Sequence, residues 1–156
     1  MPGFGNKRSS HRYLSYTDGL ATAWQDQLLL VARVLAGWIY LQSGFGKIMN
    51  PIAVATGLTR RGVPDILAYM APFVEFFGGL ALVLGFATRY AALLLILFTI
   101  IATWISHTFW SFPEGAQRGQ QFTQFWKNVT MTGGLLALFV AGPGRFSLDR
   151  WLRGWR

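Results

Sequence analysis

"ILAYMAPFVEFFGGLALVLGFATRYAALLLILFTIIATWISHTFW", residues 66–110, decides the fold. Its only carboxylate is Glu75 and its only arginine is Arg89. A helix that crosses a bilayer needs roughly 20 mostly apolar residues. The stretch therefore reads as two spans, 66–86 and 90–110, with Gly85 and Thr88 bracketing a very tight turn between them. Working outward, the same criterion selects 27–48 before the pair and 122–141 after it. The expected fold class is all-α, an integral membrane antiparallel four-helix bundle. Its domain, 27–142, lies between a basic N-terminal tail, 1–26, and a basic C-terminal tail, 143–156.

Punctuation supports these boundaries. Asp26 is placed to cap the first helix, and Pro64 to sit in the first turn of the second. Gly142-Pro143-Gly144 stops the fourth. "PIAVATGLTRRG", residues 51–62, reads as a short interfacial helix with Pro51 in its first turn and Gly62 as its cap. Trp24, Trp104, Trp110, Trp126 and Trp151 fall near span ends, as interfacial aromatics do.

Composition agrees. The chain of 156 residues is 53% hydrophobic and 13% charged, where a soluble domain carries about 25% charged residues. Its net charge of +8 comes from 14 Lys and Arg against 6 Asp and Glu. In a membrane protein this excess matches anionic headgroups and orientation signals rather than nucleic acid. Bound phospholipid is accordingly the expected companion. An even number of spans puts both termini on one side. That side carries Lys7, Arg8, Arg12, Arg89, Arg145, Arg150, Arg153 and Arg156, against Lys47, Arg60, Arg61, Arg118 and Lys127 on the other. The positive-inside rule then places both termini in the cytoplasm, in a cytoplasmic (inner) membrane.

Ionisable groups inside spans are costly, so their placement is informative. At i+3/i+4 spacing, Arg33, Gly37, Tyr40, Gly44 and Lys47 share one stripe of the first helix. Ala71, Glu75, Gly78 and Gly85 share a seam of the second. Ala92, Thr99 and Ser106 line the third, with Thr99, Thr103 and His107 on an adjoining face. Lys127, Thr130, Gly134, Ala137 and Ala141 form the seam of the fourth, flanked by Asn128. Small residues on such seams let helices approach closely. Counting 1.5 Å per residue from each span centre puts Glu75 within ~2 Å of the midplane and Arg33 roughly 7 Å to the cytoplasmic side. Lys127 and Asn128 lie about 6–8 Å outward, His107 about 10 Å and Lys47 about 13 Å. The candidate site is thus Glu75, His107, Lys127, Asn128, Lys47 and Arg33, either a ligand site or a structural polar cluster. A midplane carboxylate needs a cation or a proton, and Arg33 and Lys127 are the expected partners of Glu75. Lys47 alone reads either as a snorkelling anchor or as the rim of this cluster.

Other chemistry is excluded. There are no cysteines, hence no disulfide, thiolate metal site or iron–sulfur cluster. "GFGK" (44–47) is not a phosphate loop, because Leu41 and Ile48 stand where Gly and Ser or Thr are required. Only His11 and His107 are present, and His11 lies outside the spans, so a bis-histidine haem and a histidine-rich metal centre are ruled out. No catalytic residue is assigned.

Several elements in order resemble the DoxX/DoxD-like family of small four-helix membrane proteins. They are Arg33, "SGFGKI" (43–48), Glu75 with "GG" (78–79), "LGFATR" (84–89), His107, "KN" (127–128) with "GG" (133–134), and "GPGRFSLD" (142–149). The resemblance implies a bacterial or archaeal cytoplasmic-membrane protein and suggests quinone-linked redox chemistry. The family name comes from subunits of archaeal terminal quinol oxidases and thiosulfate:quinone oxidoreductase. Some relatives act as assembly factors for other membrane proteins. The sequence carries no redox-cofactor motif, so the leading expectation is an accessory or assembly subunit whose partners are other membrane proteins. Alternatives are a quinone-binding subunit, with His107, Lys127 and Asn128 donating to carbonyls above Glu75, and a small-solute or proton carrier.

Overall fold

The computed structural model describes residues 12–154; Lys7, Arg8, His11 and Arg156 lie outside them. The described residues form helices and no strand. The helices are α1 (Arg12–Ala23), α2 (Gln25–Ile48), α3 (Pro51–Thr59), α4 (Asp65–Leu84), α5 (Thr88–Ser106), α6 (Ala116–Ala141) and α7 (Leu148–Arg153). A 3-10 turn, Phe109–Ser111, follows α5. Three helical stretches, Gln25–Ile48, Asp65–Leu84 and Thr88–Ser111, are long and apolar enough to cross a membrane. α6 has the length, but its first turns, "AQRGQQ", are polar.

The long helices alternate in direction. α2 packs mainly on α4, α4 on α5, and α5 on α6. The α2/α4 register is set by glycine. A Cβ on Gly37 would lie 2.7 Å from the Gly79 carbonyl oxygen, and one on Gly79 would lie 2.8 Å from that of Gly37. Two backbones in contact exclude any side chain at either position. The buried residues of α2 are Arg33, Gly37, Tyr40 and Gly44, four of the five that periodicity selects; the fifth, Lys47, is half-buried. The buried face of α4 runs through Ala68, Pro72, Glu75, Gly78, Gly79 and Leu82. Leu82, Ala92, Leu95 and Leu135 complete a core fully closed to solvent.

α6 departs from expectation. Lys127, Thr130, Gly134, Ala137 and Ala141 are exposed, and the buried residues are Leu135 and Leu138. Leu135 and Leu138 turn inward, and the small residues expected to form the seam turn outward with Leu136, Phe139 and Val140. Leu135 joins the buried cluster of Leu82, Ala92 and Leu95, so this interface is packed by bulky side chains rather than by close approach of small ones.

Smaller details also shift. Asp26 makes no cap, and α1 runs into α2 through backbone bonds of Trp24 to Leu20 (3.0 Å) and of Leu28 to Trp24 (2.9 Å). Pro64 precedes α4 rather than entering its first turn. α3 begins with Pro51, as its sequence dictates, and its cap is the Asn50 side chain, which accepts from Ala53 N at 3.3 Å. Gly62, at φ +85°, takes the left-handed turn that follows.

Candidate functional site

Polar side chains gather at two places, one at the α4–α5 turn and one between the helices toward the other end.

At the turn, Gly85 ends α4 in the left-handed conformation, and Ala87 follows at φ +45°. That conformation is unfavourable for a residue with a Cβ. It is held from outside. Asp149 Oδ1 accepts from Ala87 N (2.7 Å) and Oδ2 from Thr88 N (2.8 Å), while Asp149 N donates to Gly85 O (2.9 Å). One carboxylate thus occupies the positive end of α5. The negative end of α4 meets the opposite charge. Arg33, fully buried, donates from Nη1 to Leu82 O (3.3 Å) and Val83 O (3.4 Å), and from Nη2 to Phe146 O. Asp26 ties the same segment by accepting from Arg145 N at 2.8 Å. Within it, Ser147 Oγ donates to Gly144 O (2.8 Å) and starts α7 by accepting from Arg150 N (3.3 Å).

Between the helices, Lys47 Nζ meets Glu75 Oε2 at 2.5 Å. Glu75 is buried and the Lys47 side chain is 40% exposed. On the same turns of α2 and α4, the rings of Phe45 and Phe76 pack with centroids 6.4 Å apart. A second chain of bonds crosses three helices. Tyr40 Oη and Thr99 Oγ1 are 2.6 Å apart, Thr103 Oγ1 donates to Thr99 O (2.6 Å), and Asn128 Nδ2 donates to Thr103 Oγ1 (2.8 Å). His107 caps the end of α5, its Nδ1 bonded to Gln121 Oε1 at 2.8 Å.

The six candidate residues therefore divide. Lys47 and Glu75 pair directly. Asn128 belongs to the Tyr40–Thr99–Thr103 chain, and His107 pairs with α6. Arg33 and Lys127, the expected partners of Glu75, are elsewhere: Arg33 at the α4–α5 turn and Lys127 on the exposed side of α6. The cause is stagger. Depth counted from span centres assumes that the centres align. A Cβ on Gly44 would sit 2.8 Å from Phe76 Cα, so Glu75 is level with the last turn of α2, and Lys47 is beside it rather than far above. The same offset carries Arg33 down to the end of α4.

Residues 28–108 match the DoxX family, more than half of the chain. The chain belongs to the DoxX family. Inner membrane protein YqjF of Escherichia coli K12 is 36% identical over 82% of this chain and 94% of its own length. Inner membrane protein YphA of the same organism is 36% identical over 79% of this chain and 89% of its own. Membrane protein Rv3486 of Mycobacterium tuberculosis is 27% identical over 88% and 93%. No solved structure matches.

In this DoxX protein, sequence reasoning passed over Asp149, Thr99, Thr103 and Tyr40 as site residues. Asp149 lies outside the spans, where polar groups draw no attention. Its signal is that it is the sole carboxylate after Glu114, set among arginines. Among the described residues no group of three or more His, Cys, Asp or Glu side chains could hold a metal ion.

Proposed function

We infer that this DoxX protein is an accessory or assembly subunit of a larger complex in the inner membrane, most naturally a respiratory or other redox assembly. In this reading α2, α4, α5 and α6 all cross the bilayer and both termini are cytoplasmic. The observation that carries it is the mutual pairing of the intramembrane polar groups: Lys47 with Glu75, Tyr40 with Thr99, Asn128 with Thr103, His107 with Gln121. Groups that satisfy one another fix helix register and leave function to the outer surface. That surface includes the exposed side of α6, with Lys127, Thr130 and Gly134. Such small and polar residues suit contact with another protein's helix better than contact with lipid. The inner-membrane assignment follows the similarity to the inner membrane proteins YqjF and YphA, and the orientation follows the distribution of Arg and Lys.

Isolation in a mild detergent tests this reading. The chain is expected to co-migrate with other membrane subunits, and its deletion to lower the amount of one membrane complex. A chain that migrates alone, with every complex intact on deletion, overturns it.

One observation favours a second reading, a quinone-binding subunit. The half-exposed Lys47 ammonium, paired to the buried Glu75, offers a donor for a carbonyl at the end of the apolar α2–α4 seam. Quinone retained on gentle purification and lost in Glu75→Gln supports it. Quinone absent from the wild type ends it.

A further inference from the structure

At the end of the molecule that carries the α4–α5 turn, a cavity of about 310 Å³ opens between the start of α2, the 143–145 segment and α7. Arg145, Arg150 and Arg153 line it together with Asp26 and Asp149. Both carboxylates are already engaged. Asp149 accepts from two backbone N–H groups, and Asp26 accepts from Arg145 N and lies 3.9 Å from Arg145 Nε. Among the described residues no carboxylate forms an ion pair with Arg150 or Arg153. Among the described residues the cavity thus presents two guanidinium groups with no carboxylate paired to them, each built for bidentate contact with phosphate.

The surroundings identify the source of that phosphate. α7 is two-faced at helical spacing. Asp149, Arg150 and Arg153 turn toward the cavity, while Leu148, Trp151 and Leu152 lie on the other side with exposed surface. Phe146 beside them adds exposed apolar area. α2 begins here, α4 ends, α5 begins and α6 ends, so a bilayer spanned by these helices has its headgroups at this level. A free anion in water has no use for the apolar flank; a phospholipid uses both parts.

We propose that this cavity is a binding site for an anionic phospholipid, its phosphate between Arg150 and Arg153 and its acyl chains along the exposed apolar side chains of Phe146 and α7. The site requires only that the helices span a bilayer. It holds whether or not the protein is an assembly subunit, and for either orientation of the termini.

The test is native mass spectrometry of the full chain in detergent, titrated with phosphatidylglycerol and, separately, with phosphatidylcholine. The wild type is expected to prefer phosphatidylglycerol. An arginine near an anionic lipid surface contributes about fivefold in affinity, so Arg150→Gln/Arg153→Gln is expected to lose on the order of 25-fold. Arg60→Gln/Arg61→Gln, at the other end of the molecule, is expected to bind as the wild type does. Arg153→Gln alone, on the exposed last turn of α7, carries the test if the double variant is unstable, with an expected loss of about fivefold. Unchanged affinity in the Arg150 and Arg153 variants overturns the proposal. So does an equal loss in the Arg60/Arg61 variant, which reports charge alone. Displacement of the lipid by inorganic phosphate at matched concentration also overturns it, because the site then belongs to a free anion.

Discussion

The two ends of the bundle are closed by different means. At the α4–α5 turn, closure is polar and long-range: Arg33 and Asp149 come from opposite ends of the sequence to meet the two helix termini of one turn. At the other end, around the connection from α5 to α6, it is aromatic and local. Phe109, Trp110, Phe122, Phe125 and Trp126 pack edge to face at centroid distances of 5.1–6.2 Å. An aromatic cluster tolerates the loss of one ring, because each contact contributes little beyond its area. A polar closure does not, because removing one partner strands the others. Stability is therefore expected to be concentrated at the first end.

Substitutions can break or sharpen this contrast, and equilibrium unfolding in mixed micelles measures them. The largest effect is expected from Arg33→Leu, which leaves the carbonyls of Leu82, Val83 and Phe146 without their shared donor, at a cost of about 3 kcal/mol. Asp149→Ala removes the carboxylate from the start of α5 and is expected to cost about 2 kcal/mol. A loss as small as that of a surface substitution would show that the turn holds itself. Gly37→Ala forces a Cβ against the Gly79 carbonyl and is expected to cost about 1–2 kcal/mol. Glu75→Gln loses an ion pair that is open on the lysine side, for about 1 kcal/mol. The smallest effect falls on Gly133→Ala, where an added Cβ meets no atom within 4 Å. There a gain of up to about 1 kcal/mol is expected from helix propensity. Equal losses at Gly37 and Gly133 would erase the distinction between the packed and open faces.

Much of this was legible in the sequence, and the failures share a cause. Length and apolarity located three helices able to cross a membrane, and i+3/i+4 spacing selected the buried residues of α2, Arg33, Gly37, Tyr40 and Gly44, together with the part-exposed Lys47. Periodicity describes one helix at a time. It cannot report the stagger between helices, so Lys47 and Glu75 appeared far apart and Arg33 appeared to lie beneath Glu75. On α6 two stripes compete, one small and polar and one bulky. Choosing between them requires knowing what α5 presents in return. Asp149 escaped for the plainest reason: its partners are backbone N–H groups, which every residue but proline carries and no sequence pattern marks.

The way Asp149 completes the α4–α5 turn bears on biosynthesis. Synthesis of that turn precedes synthesis of its carboxylate by roughly sixty residues, with α5 and α6 made in between. A nascent chain therefore holds Ala87 in its unfavourable conformation only after α7 has begun to emerge. A turn made midway through synthesis is thus among the last parts of the molecule to be finished.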